Sequence, residues 1–190
     1  MSEERQVVAE VLAEHERMVA GLAGLERELA EAAAMLTGCL RRGGRILVCG
    51  NGGSAADAQH VAAEFSGRFL KERAPWPAQA LTVNASALTA IGNDYGFDEV
   101  FARQVRAFGR SGDVLIAIST SGNSPNVLRA ADAAREAGAG TIALTGSAGG
   151  KLRGSCDVTL AVPSSSTPRV QEGHVVLLHL LCQLVEDALC

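Results

Sequence analysis

Apolar residues along this chain follow two rhythms. Between residues 3 and 40, Val8, Val11, His15, Met18, Leu22, Leu25, Leu29, Ala32 and Leu36 recur at alternating spacings of three and four, which predicts helix. Gly21 and Gly24 interrupt this seam. Each costs about 1 kcal/mol against alanine in a helix interior, so a bend or break is expected there. A long arm of this kind ahead of a compact unit carries too much apolar surface to stay bare, which predicts a subunit interface. His15, on the same seam, reads as an interface histidine.

From Gly44 the rhythm changes to short apolar, β-branched runs alternating with helical stretches. Strands are predicted at 45–49, 79–82, 114–118, 141–144 and 158–162. Helices are predicted near 54–70, 85–92, 98–108, 125–137, 149–154 and 168–189. Such alternation means a mostly parallel sheet covered on both faces, with ligands beyond the carboxyl ends of the strands. The domain division follows: a helical oligomerisation arm over 1–42 and an α/β domain over 43–190. The last helix, with Val175, Val176, Leu177, Leu178, Leu180, Leu181, Leu184 and Val185, is apolar nearly all round and is expected to be buried. No internal repeat or low-complexity segment occurs; the link 73–77 and the serine run 164–166 are ordinary loops.

Composition narrows the function class. A chain of 190 residues suffices for one domain with a sizeable core. A formal charge of -4 argues against nucleic acid or an anionic membrane as the main partner. No apolar run reaches membrane-spanning length, and the acidic start lacks a signal-peptide core. Five cysteines without Cys-x-x-Cys spacing suggest reduced thiols and a cytoplasmic protein.

The chemistry gathers after the strands. Gly50-Asn51-Gly52-Gly53-Ser54 is a glycine-rich turn between a strand and a helix, and helix N-termini welcome anions. Ser54 and Asp57 have the spacing of an N-cap and its reciprocal partner. On the same helix His60 and Glu64 share a face. Ser119-Thr120-Ser121-Gly122-Asn123-Ser124-Pro125 follows the third strand, with Ser124 and Pro125 placed as N-cap and N1. Its hydroxyls favour a phosphate monoester over a plain polar turn, and it lacks the Gly-Lys-Ser/Thr of a nucleotide loop. In the last helix Gln171, Val175 and His179 form one row, while His174 reads as a core residue. Arg68 is assigned to substrate phosphate or to a carboxylate across an interface.

Taken with Gly92-Asn93-Asp94 and Arg169-Val170-Gln171-Glu172, these motifs resemble the phosphoheptose isomerases, members of the sugar-isomerase (SIS) domain proteins, over essentially the whole chain. The resemblance implies a five-stranded parallel, flavodoxin-like three-layer sandwich, a homotetramer with sites at subunit boundaries, and one zinc per subunit. It implies interconversion of D-sedoheptulose 7-phosphate and D-glycero-D-manno-heptose 7-phosphate. Positions matching His60, Glu64, Gln171 and His179 bind the metal, and Glu64 and His179 serve as base and acid. By the same resemblance Asn51, Gly52, Gly53, Ser54, Glu64, Asn93, Asp94, Ser119, Thr120, Ser121, Ser124 and Gln171 would contact substrate. Pro168 stands where some members carry an acidic residue, and Tyr95 where phenylalanine is frequent. Three rivals stand beside this reading. One is a non-catalytic SIS tetramer that binds the replication initiator protein; its relatives lose the His/Glu set retained here. Another is a different SIS sugar-phosphate enzyme. The last, a dinucleotide dehydrogenase, is weakened because Leu81-Thr82-Val83-Asn84 offers no acidic residue for the ribose.

Overall fold

In the computed structural model, which describes residues 2–190, five parallel strands stand in the order β2-β1-β3-β4-β5. They are β1 (Ile46–Gly50), β2 (Ala78–Ala80), β3 (Val114–Ile118), β4 (Gly140–Thr145) and β5 (Val158–Ala161). The register runs Ile46 to Val114, Val114 to Gly140 and Ile142 to Val158. β1 and β3 are buried at every position because each face has its own helical layer. Ile46, Val48, Val114, Ile116, Ile118, Ile142 and Leu144 point to one face and Leu47, Cys49, Leu115, Ala117 and Ala143 to the other, the period-two alternation of a strand.

The first face is covered by α2 (Glu26–Arg41), α3 (Gly53–Ser66) and α7 (Thr167–Leu189), through Ala32, Leu36, Ala58, Val61, Phe65, Leu177 and Leu181. The second is covered by α5 (Ala102–Phe108) and α6 (Pro125–Glu136), through Val105, Val127, Ala130 and Ala134. The helix after β1 and the helix after β3 therefore lie on opposite faces, so a crevice opens between the carboxyl ends of these neighbouring strands.

The break expected near Gly21 is present: α1 (Glu3–Gly21) passes into a 3-10 turn, Leu22–Leu25, before α2. The seam divides accordingly. Met18, Leu22, Ala32 and Leu36 are buried within the chain, whereas Val7, Val8, Val11 and Leu12 are exposed. His15 pairs with Glu172 of α7 at 2.8 Å and keeps part of its ring exposed on the seam. α7 is likewise not buried all round: Leu180 and Leu184 are exposed on its outer side. α3 ends at Ser66, short of residue 70, and α4 (Ala85–Tyr95) runs past residue 92. The helix expected over 98–108 is divided between a 3-10 turn, Phe97–Glu99, and α5, and that over 149–154 is a single 3-10 turn, Gly150–Leu152.

His174 is a core residue, as its surroundings in the sequence suggest. It is fully buried, its Nε2 faces the Thr145 carbonyl at 3.1 Å, and its Nδ1 has no partner. Burial pulls its pKa down to about 4, against the opposing effect of the Thr145 bond. The unfolded chain takes up this proton near the ordinary histidine value of about 6.5. The folded state therefore keeps its full stability above that pH and loses stability as pH falls from there towards 4, by about 3 kcal/mol in all. Thr145 O retains the Val162 N–H at 2.9 Å, so His174→Leu leaves no orphaned carbonyl. Urea unfolding across this pH window is expected to show the drop in the parent and a flatter profile in the variant.

Candidate active site

The glycine turn after β1 is built differently from a capping box. α3 begins at Gly53, and its N-cap is Gly52, at φ 55° and ψ -121°, a conformation that favours glycine. Ser54 is buried and Asp57 makes no cap; no side chain caps this helix. The Asp57 Oδ2 is buried without a hydrogen-bond partner, and burial raises its pKa against the lowering influence of His60. The Gly52 carbonyl takes the Ala55 and Ala56 N–H groups, at 3.0 and 3.3 Å, in place of a side-chain cap.

The serine turn after β3 is held from within. Ser119 Oγ lies 2.9 Å from Ser124 Oγ and 3.4 Å from Ser121 Oγ, and the Asn123 N–H donates to Ser121 Oγ at 3.1 Å. Ser124 is the N-cap of α6 with Pro125 behind it, but its hydroxyl turns to Ser119 in place of the helix. Thr120 is half-buried in the same turn. Asn51 and Asn126 exchange two amide bonds, at 2.9 and 2.8 Å, and so lock the two turns together across the crevice. The sequence reading did not include Asn126; its only sign was a polar side chain on the inner face of a helix start.

A third feature joins α3 to α7. His60 Nε2 lies 3.1 Å from Glu64 Oε1, and His179 Nε2 lies 3.3 Å from His60 Nε2. The ligand atoms of these three side chains all fall within 4.8 Å of one another. Phe69 packs its ring on His179, with centroids 5.4 Å apart. Gln171, two turns before His179, presses its amide on Gly53: a Cβ added there would come 2.8 Å from Gln171 Cδ. Two imidazoles and a carboxylate converging from two helices suit a zinc ion, with room for a further ligand. His60 Nε2 faces both the carboxylate oxygen and the second imidazole nitrogen, contacts that a shared cation satisfies better than one proton.

Not every candidate joins this assembly. Asn93 and Asp94 lie on the exposed end of α4, where Asn93 Nδ2 donates to Asp94 Oδ1 at 2.7 Å, and neither bonds another candidate residue within the chain. Arg68 sits 3.7 Å from Glu72, an exposed pair one turn away within the chain.

The sheet order, the two turns and the helix pair define an SIS-type α/β domain, and the family model for the SIS domain matches residues 10–146. A phosphoheptose isomerase from Rhodospirillum rubrum is 63% identical over 162 residues, 85% of this chain and 86% of its own. One from Aliarcobacter butzleri is 50% identical over 96% of this chain and 97% of its own. Among solved structures, the phosphoheptose isomerase of Neisseria gonorrhoeae superposes with a TM-score of 0.91 at 49% identity, covering 96% of this chain and 98% of that one. The chain belongs to the phosphoheptose isomerase family of SIS-domain proteins and is an isomerase, acting on sugar phosphates. The dehydrogenase reading and the non-catalytic reading fall away.

Proposed function

We propose that the chain interconverts D-sedoheptulose 7-phosphate and D-glycero-D-manno-heptose 7-phosphate. The observation that carries this reading is the convergence of His60, Glu64 and His179 on one point, beside two turns shaped for a sugar phosphate. Residues Ser119, Thr120, Ser121 and Ser124 would hold the phosphate, with hydroxyl donors and the α6 N-terminus. Asn51, Gly52, Gly53, Ser54 and Gln171 would line the sugar. Asn93 and Asp94 would reach substrate only across a subunit boundary, in a homotetramer. The exposed apolar residues of α1 and of α7 support such an assembly, with residues 1–42 as its arm and 43–190 as the catalytic domain. Because α2 already packs on the sheet, α1 is the part of the arm free to contact another copy.

Zinc, one per subunit, would be held by His60, Glu64, Gln171 and His179; when bound it supplies Lewis-acid stabilisation of the oxygens at C-1 and C-2. Glu64 presents Oε1 to His60, while its Oε2 has no hydrogen-bond partner among the described residues and can take the proton from the carbon beside the carbonyl. The enediolate then needs a proton returned to the neighbouring carbon and a donor for its oxygen. His179, with Phe69 against one ring face, would provide that donor. No described helix is long and apolar enough to cross a membrane, and all five cysteines are free, which supports a cytoplasmic location.

Incubation of the purified chain with sedoheptulose 7-phosphate tests this reading. The aldose 7-phosphate is expected to accumulate to equilibrium, to stop after chelation and to resume on adding zinc. Turnover of other ketose phosphates alone would overturn the substrate assignment.

A further inference from the structure

A buried ion pair outside the His/Glu cluster, Glu186 with Arg73, requires an explanation. Glu186 of α7 is 1% exposed and lies two turns beyond His179, on the same helix face. Its carboxylate accepts four bonds at 2.9 Å: from the N–H groups of Phe69, Leu70 and Lys71, and from Arg73 Nε. Burial alone would raise its pKa, but the Lys71, Leu70 and Phe69 amides and the Arg73 guanidinium outweigh it and hold the carboxyl down to about 2. Four donors match the acceptor capacity of one carboxylate.

Arg73 uses its other nitrogens on the end of α3. Its Nη2 donates to the Glu64 carbonyl at 2.8 Å, and its Nη1 to the carbonyls of Phe65 at 2.9 Å and Ala74 at 3.1 Å. The guanidinium lies flat on Trp76, 3.6 Å from the ring centroid. One ion pair therefore fastens the loop 67–76 and takes up the carbonyls that end α3. It ties the backbone of Glu64 to α7 and holds Phe69 where its ring meets His179. A surface helix would leave those last carbonyls to water.

Resting on the reading of His60, Glu64 and His179 as one metal and proton-transfer site, we propose that Glu186 and Arg73 are positioning residues for that site. They set the approach of Glu64 to His179. Their loss is expected to spread the three ligand atoms apart without removing any of them. The planar fork of arginine is what reaches two α3 carbonyls while pairing with Glu186; lysine has the charge but not the fork.

The experiment compares Arg73→Lys and Glu186→Gln with the parent and with Asp113→Asn. Asp113 is a matched control: it is equally buried and accepts the Arg45 and Arg110 N–H groups, but at the amino ends of the strands, away from the site. Zinc affinity by competition with a chromophoric chelator, the visible spectrum of the cobalt form, and kcat and KM are measured at a temperature where each variant is folded. Arg73→Lys and Glu186→Gln are expected to lower zinc affinity and kcat by about 10- to 100-fold, the scale of lost support to a metal ligand. KM should change little, and the cobalt spectrum should alter. Asp113→Asn is expected to lose stability and keep both zinc affinity and kcat. Should Glu186→Gln not fold, Arg73→Lys carries the comparison. Losses no larger than those of the control would overturn the positioning role, while a parent that binds no zinc would overturn the site reading beneath it.

Discussion

Glu64→Gln is expected to lower kcat by about a thousandfold, within the range of 10²–10⁴ usual for a lost general base. The amide matches the carboxylate in shape, so the contact 3.1 Å from His60 can be kept by its oxygen. What is lost is basicity at the second oxygen, and with it the only group assigned to take the carbon-bound proton. Glu64 is half-buried in the middle of the α3–α7 contact, and its backbone carbonyl remains bonded to Arg73. Thermal unfolding should therefore shift little. A fall in kcat with KM near the parental value separates this result from loss of substrate binding. His179→Ala should also be slow, but with weaker zinc binding, because it removes a ligand and the partner of Phe69 together.

Gly122→Ala should damage the turn 119–124 more than any serine variant. Gly122 has φ +65°, and an added Cβ would overlap the Gly149 carbonyl oxygen and come 2.6 Å from its carbon. Those atoms are backbone, so no side-chain rotation can relieve the clash. The turn 119–124 and the loop 149–152 must move apart, which also breaks the bond from the Leu152 N–H to the Gly122 carbonyl. A destabilisation of about 3 kcal/mol or more is expected from this combination. KM for the sugar phosphate should rise at least about tenfold, the equivalent of one charge-assisted hydrogen bond to phosphate. Ser124→Ala gives the milder comparison: it removes the hydroxyl that meets Ser119 at 2.9 Å and leaves the backbone in place. Denaturant unfolding and steady-state kinetics check both, and a Gly122→Ala chain with parental KM would show that the turn does not hold substrate.

Local pattern was enough for the strands and for the break between α1 and α2. Val114-Leu-Ile-Ala-Ile118 is apolar at every position because both its faces are covered, and that burial was written in its composition. His60 and Glu64 could be paired from helix periodicity alone. The errors arose where a local rule met a distant contact. Ser54 and Asp57 have capping spacing, but the N-cap is Gly52, two residues earlier and at positive φ, and Ser54 is buried. Asn126 meets Asn51 across 75 residues, and Glu186 meets Phe69 across 117. No periodicity encodes such pairs. Leu180 and Leu184 read as core because a run of leucines does not itself separate the side of a helix facing the interior from its outer side.

Isomerisation requires that α3 and α7 bring a proton-accepting carboxylate to the carbon beside the sugar's carbonyl. Incubating sedoheptulose 7-phosphate with the zinc-loaded chain in deuterated water, and following the substrate by NMR, measures that step directly. Deuterium is expected at C-1 of the ketose and at C-2 of the aldose with the parent, and only at the background rate with Glu64→Gln. Equal incorporation in both would contradict it.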